Sequence, residues 1–256
     1  MLMGPTTVRF RVHIAPVGRE VIRVVKPMIT LKADVAILLT LSKTDQSGLS
    51  AQIIRKELEK EHIPTTIIEC NISDSSEIVN EVGSIVSAYP HHEYMYNVST
   101  GARAASIAGV IAGMFWGVRP YHIGINEMAK PVHGEGDLPT VGSPQFVPTF
   151  QIPRLDQAAI EALEFIASTK EPISKNLLIT ELKKTGKVGP RQSKSVTPQA
   201  LYGQLDSILY KLETWGFVEL IGHGKSARVS ITETGIEGRK MFFHMLKPRS
   251  PLSMLE

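Results

Sequence analysis

The sequence predicts an α/β chain: a mostly parallel sheet covered by helices on both faces, followed by a smaller C-terminal domain of helices and a hairpin. Three observations predict it. Up to about Met128, short β-rich runs alternate with longer stretches of helical period, the signature of βαβ units. Residues 127–153 break that rhythm with Pro131, Gly134, Gly136, Pro139, Gly142, Pro144, Pro148 and Pro153, the punctuation of a connector. Beyond Pro153 come three helical patterns and two alternating runs.

In order, strands are expected at 8–15, 34–41, 65–71, 94–98 and 120–125, with helices at 20–31, 49–62, 76–88 and 101–117 between them. Ile37, Leu38 and Leu39 in one strand, and Ile67 and Ile68 in the next, are apolar on both faces, which suits central strands in a Rossmann-like sheet. An edge strand is expected at 145–150, and the domains at 1–150 and 151–256.

The second domain opens with a helix at 155–168, with Ala159, Leu163 and Ile166 on one face, and another at 174–185 offering Leu177, Leu178 and Leu182. A third, at 197–215, carries Leu201, Leu205, Ile208 and Leu212 at i, i+4, i+7 and i+11, with Thr197 as cap and Pro198 in the first turn. The stretch FVELIGHGKSARVSIT then alternates on either side of Gly222-His223-Gly224-Lys225, a β-hairpin with a basic tip. Three helices and a hairpin make a winged helix-turn-helix.

With 256 residues and 43% hydrophobic content, the chain buries a proper core and has the length of two domains. Its one cysteine, Cys70, makes no intrachain disulfide and suits a reducing cytoplasm. Residues 104–118 are the best membrane candidate, but they fall short of the ~20 needed and are bracketed by Arg103 and Arg119, so a buried helix and no membrane partner are expected. Lys and Arg number 13 against 14 acids to residue 150, and 15 against 11 afterwards, so the second part is the basic one. There Lys183, Lys184, Lys187, Arg191 and Lys194 run without an intervening acid.

Several chemistries are excluded by pattern. The loop after the first strand has Gly18 alone in place of G-x-G-x-x-G, and Gly224-Lys225-Ser226 lacks the leading glycine and the strand-to-helix setting of a Walker loop. There is no G-x-S-x-G elbow. His91, His92, His122 and His133 lack the spaced partners of a zinc site, and His13 reads as a core histidine, so no metal is expected.

What remains is an anion site. In an open parallel sheet, ligands bind beyond the carboxyl ends of the strands. Two such loops stand out, one with Gly18 and Arg19, the other Asn97-Val98-Ser99-Thr100-Gly101-Ala102-Arg103. Ser99 and Thr100 supply hydroxyls, Gly101 opens the backbone, the helix N-terminus adds about half a positive charge, and Arg103 offers a bidentate fork. A Ser or Thr before a helix is also an ordinary cap; the pairing of two loops at one sheet edge favours a ligand.

With the winged helix, these residues resemble a CRISPR-associated Rossmann-fold (CARF) sensor joined to a DNA-binding module, most closely the archaeal CARF transcriptional regulators. The resemblance implies a cytoplasmic homodimer whose two sensor domains share one pocket for a cyclic oligoadenylate, with cyclic tetra-adenylate the first choice, and no further cofactor. It implies that Gly18, Arg19, Asn97, Ser99, Thr100, Gly101 and Arg103 line that pocket. Double-stranded DNA is the second expected partner, addressed by Gln199 and Tyr202 on the third helix and held through Lys187, Arg191, Lys194, Lys225 and Arg228. Asp206 shares the outward face with Tyr202 and Gly203. No catalytic residue is assigned; the alternative is a metal-independent ring nuclease, with Ser42, Lys43 and Arg19 nearest to hand. The stripe Ala105, Gly109, Gly113 and Gly117 fits either packing on the sheet or a dimer contact.

Overall fold

The computed structural model describes residues 8–126, 140–169, 171–189, 197–222, 224–247 and 252. The chain divides into two compact units, Met1–Ile152 with Arg249–Glu256, and Pro153–Pro248.

The first unit runs β1 (Arg11–Pro16), α1 (Ile22–Thr30), β2 (Val35–Thr40), α2 (Gln46–Lys60), β3 (Thr65–Glu69), α3 (Ser75–Ala88), β4 (Glu93–Asn97), α4 (Arg103–Trp116) and β5 (Arg119–His122). A short antiparallel pair follows, β6 (Ile125–Asn126) with β7 (Thr140–Val141), and then the edge strand β8 (Gln145–Phe146). The six-stranded sheet has the order β3-β2-β1-β4-β5-β8, parallel throughout except for β8. β2 is buried along its whole length, as its unbroken apolar run requires. α1 packs on α2 and α3 on α4, so each pair forms a layer over the sheet.

This strand order creates a switch point. From β1 the chain winds outward through β2 and β3, then returns to β4 on the other side of β1 and winds away to β5. Consecutive βα loops therefore diverge between β1 and β4, leaving a crevice beyond their carboxyl ends. Their register sets His13 beside Met95 and Ile14 beside Tyr96.

Some boundaries differ from expectation. The first strand starts at Arg11, and Val8 ahead of it is exposed. The edge strand covers two residues and stops before the exposed Phe150. Helix α4 starts at Arg103, two residues late, because Gly101 has φ +78° and cannot be helical. The small-residue stripe on α4 is consumed by the sheet: a Cβ on Gly109 would sit 2.3 Å from the Tyr96 ring, and one on Gly113 2.9 Å from the Val118 carbonyl.

The second unit holds α5 (Gln157–Ser168), β9 (Ile173–Ser174), α6 (Lys175–Lys184), α7 (Pro198–Thr214), β10 (Val218–Ile221), β11 (Arg228–Ile231) and α8 (Glu233–Gly238), with a 3-10 helix at Arg239–Met245. β11 lies between β10 and β9, antiparallel to both. The core gathers Leu163, Leu178, Leu182, Leu205, Leu212, Val229 and Phe242. Leu177 is not part of it: it lies largely exposed on α6. Asp156, Ser174 and Thr197 cap α5, α6 and α7, the last with Pro198 in the first turn as expected.

His13 is fully buried, its Nδ1 3.4 Å from the Tyr121 hydroxyl and its Nε2 without a partner among the described residues. Desolvation, aided by the Arg11 charge, lowers its pKa from 6.5 to about 4. The unfolded imidazole takes its proton first, so native stability falls as pH drops from 6.5 towards 4. Denaturant melts should register this as about 3 kcal/mol lost by pH 4, and His13→Gln should remove most of that acid-side slope.

Candidate ligand cleft and nucleic-acid face

At the β1/β4 switch point the two glycine loops meet backbone to backbone. The Thr100 hydroxyl donates to the Pro16 carbonyl at 2.7 Å, fastening the β4 loop to the end of β1. Gly101 lies over Pro16 so closely that a Cβ would stand 2.8 Å from the proline Cβ. A Cβ on Gly18 would meet the Gly101 amide nitrogen at 3.3 Å. Beside this contact opens a cleft of about 410 Å³ lined by Gly18, Arg19, Glu20, Arg23, Ser99, Thr100 and Gly101. That volume lies in the range of small-ligand sites, about 300–1,000 Å³.

Behind the cleft runs a closed circuit of hydrogen bonds. The buried Asn97 donates from Nδ2 to the Arg23 carbonyl at 2.8 Å, and its Oδ1 accepts from the Ser99 amide at 2.9 Å. The Ser99 hydroxyl oxygen accepts from the Ile123 amide at 2.5 Å, and the Ile123 carbonyl accepts from Arg23 Nη2 at 3.1 Å. Ser99 uses its oxygen as acceptor there, so its own proton is free to donate. The buried Tyr121 phenol, which also hydrogen-bonds Asn97, is held protonated by desolvation above its ordinary range.

The two helices that begin at the cleft are α1 and α4, and neither has a side-chain cap: Val21 and Ala102 stand at the N-cap positions. Helices α2, α3, α5, α6, α7 and α8 are each capped by Asp, Ser or Thr. The opening amides of these two helices thus have no side-chain acceptor of their own among the described residues.

The sequence-based site residues are distributed as follows. Gly18, Arg19, Ser99, Thr100 and Gly101 come together in the cleft lining, with Arg19 exposed. Asn97 stands behind it, and the hydroxyl of Thr100 is turned to Pro16. Arg103 opens α4, exposed and outside the lining. Ser42 and Lys43 also lie outside it, the Lys43 amide donating to Glu69 at 2.9 Å. Sequence reasoning missed Arg23 and Glu20, which line the cleft as an ion pair at 2.6 Å. Their signal was the i, i+3 spacing of opposite charges at a helix start, indistinguishable in sequence from a solvated pair.

In the second unit, Gln199 and Arg228 are exposed. Tyr202 donates its hydroxyl hydrogen to Asn176 of α6, and Lys187 pairs with Glu161 at 3.5 Å. The buried Lys175 holds Asp206 at 2.8 Å. Lys225 falls in the 3-10 turn Gly224–Ser226 between β10 and β11. Arg191, Lys194 and His223 lie outside the described residues, as does the side chain of Lys225. Among the described residues no cluster of potential metal ligands is found, and no helix is long and apolar enough to cross a membrane.

Comparison with known proteins identifies both units. Residues 11–127 match the family described as HFX_2341_N-like, N-terminal, and residues 158–242 match the DUF6293 C-terminal winged helix domain. The fold read from the sequence, a Rossmann-like α/β unit followed by a winged helix, is borne out by the strand order and by the second of these matches. No curated protein matches the sequence. Among solved structures, protein VC1899 from Vibrio cholerae is 16% identical, with 92% of this chain and 67% of that one covered and a TM-score of 0.39. Can2 from Sulfobacillus thermosulfidooxidans, in complex with cyclic tetra-adenylate, is 12% identical over 91% of this chain and 63% of its own, with a TM-score of 0.39. Csm6 from Enterococcus italicus, bound to cyclic hexa-2′-fluoro-hexa-dAMP, is 9% identical over 80% and 54%, again at 0.39. The chain thus spans about two thirds or less of the length of these proteins.

Gly101→Ala adds a Cβ against Pro16 and forces a left-handed backbone on alanine. Its unfolding free energy should drop by about 1–3 kcal/mol in denaturant melts, and by more than that of Gly18→Ala, whose added methyl meets only a 3.3 Å contact.

Proposed function

We propose that the chain is a ligand-responsive DNA-binding regulator, active as a homodimer, whose sensor cleft takes a cyclic oligoadenylate and thereby changes DNA binding by the winged helix. The observation that carries this reading is the cleft at the β1/β4 switch point. Two uncapped helix N-termini, two glycine loops in backbone contact and two guanidinium groups converge there, a donor set suited to phosphodiester oxygens.

Size supports the dimer. A cyclic tetranucleotide carries four phosphates and outreaches a cleft of about 410 Å³, so one chain offers room for part of the ring. Two copies related by a two-fold axis would present the same donors to opposite halves of a symmetric ligand. The outward face of α4 supplies a surface for the second copy: Ile107 is 58% exposed one turn after Arg103, with half-buried Val110, Ile111 and Met114 along the same strip. In this arrangement Arg103, outside the cleft of its own chain, reaches the ligand at the shared edge.

On the DNA side, α7 presents Gln199 to base edges and the hairpin presents Arg228 to the backbone. For binding to be regulated, the ligand must favour one dimer arrangement by differential affinity; tight binding alone shifts no equilibrium.

Calorimetry with cyclic tetra-adenylate, alongside chromatography of the incubated nucleotide and a DNA-binding isotherm, tests the reading. Expected are one ligand per two chains, an intact nucleotide and a shifted isotherm, with Arg19→Ala weakening the nucleotide roughly tenfold or more through loss of a charge-assisted contact. Linear products at catalytic turnover would assign a ring nuclease instead. Arg228→Ala should lower affinity for all DNA sequences alike and flatten the salt dependence.

A further inference from the structure

The cleft that should attract an anion contains a carboxylate. Glu20 lines it, and its Oε2 lies 2.6 Å from Nη1 of Arg23, the cation at the inner end of the same cleft. The two partners are held very differently. Arg23 is fixed from behind: Nη2 donates to the Ile123 carbonyl at 3.1 Å, and its own carbonyl accepts from Asn97 at 2.8 Å. Its Nε is buried without a partner among the described residues, and its side chain is only 20% exposed. Glu20 precedes α1, is 47% exposed, and among the described residues its side chain makes that ion pair alone. One member is thus a fixed cation with an outward-facing donor, and the other a carboxylate free to leave it.

We propose that Glu20 is a resident competitor for the anion site, occupying the outward donor of Arg23 until a phosphodiester displaces it. The inference rests on the proposed reading of the cleft and deepens it, by assigning Arg23 as the phosphate-binding cation and Glu20 as the group that sets selectivity. A monoanionic carboxylate ligand would only exchange one carboxylate for another and gain little. A polyanion engages Arg23 together with Arg19 and the Ser99 proton, contacts that Glu20 does not make, and so drives the exchange. While no ligand is present, the pair keeps a guanidinium that is mostly out of water from standing uncompensated.

A double-mutant cycle tests this by calorimetry with cyclic tetra-adenylate, using full-length wild type, Glu20→Gln, Arg23→Gln and the double variant, each checked by circular dichroism. Displacement predicts that Glu20→Gln binds roughly fivefold more tightly, the scale of releasing an exposed ion pair, and that Arg23→Gln weakens binding roughly tenfold or more. It further predicts that the gain from Glu20→Gln vanishes when Arg23 is already Gln. Should Arg23→Gln fail to fold, Arg23→Lys replaces it and should retain part of the gain. Weaker binding by Glu20→Gln would make Glu20 a positioning group for Arg23 and overturn the proposal. A gain that persists without Arg23 would reduce it to simple charge repulsion and overturn it equally. If wild type binds the nucleotide and either of these results follows, the ligand reading stands and the competitor fails; if wild type binds none, both fall together.

Discussion

The circuit Arg23–Asn97–Ser99–Ile123 is the constraint on which the β1/β4 cleft depends. Its four members come from α1, the end of β4, the loop that follows it and the end of β5, elements far apart in sequence that the 3-2-1-4-5 strand order brings together. Each bond satisfies a backbone or amide group that the diverging loops would otherwise bury unpaired, at a cost of about 1–3 kcal/mol apiece. The polar residues of the motif therefore divide into two groups. Asn97 and Thr100 spend their side chains inside the fold, whereas Ser99, Gly18 and Gly101 keep donors or open backbone towards solvent. A run that looks uniformly suited to phosphate in sequence is half scaffold.

Helix capping follows the same division. Among the other described α-helices an Asp, Ser or Thr closes each N-terminus, even in the six-residue α8. At the cleft, Val21 and Ala102 leave α1 and α4 open. A missing cap costs roughly 1 kcal/mol of helix stability, and the exception occurs twice at the same place. α4 recovers much of this from packing, since Gly109 brings it against the Tyr96 ring and the Ser106 hydroxyl donates back to the Val98 carbonyl at 2.7 Å. Close packing holds the helix while its amides stay available.

The order of strands and helices was legible in the sequence because the apolar runs are strong and their period switches cleanly between two and 3.6. What escaped was decided by tertiary contact. The helix α8 carries Gly235 and Gly238, which read as loop signals. They are glycines because a Cβ at Gly235 would sit 2.0 Å from the Phe217 carbonyl oxygen and one at Gly238 2.3 Å from the Phe217 ring. β9 consists of Ile173 and Ser174 and exists only by pairing with β11. In the cleft, the glycine loops were visible as loops, but Glu20 and Arg23 were not, since an i, i+3 ion pair has one appearance in sequence whether it faces water or a ligand.

The basic character of the second unit is subject to the same correction. Lysines and arginines outnumber acids after residue 150, yet Lys175, Lys187, Lys211 and Arg239 are bound to Asp206, Glu161, Asp156 and Glu164 within the fold. These charges brace α5, α6 and α7 against one another and add little to a long-range field, because each is cancelled at contact distance. Asp206, the acid on the outer face of α7, is cancelled in the same way, by the buried Lys175. The third helix is therefore close to neutral where it would enter a groove, so attraction for phosphate has to come from its flanks. Arg228 on the hairpin is an exposed cation available for that role. Under the proposed reading, α7 would supply sequence discrimination through Gln199, while affinity and its salt dependence would belong to the wing.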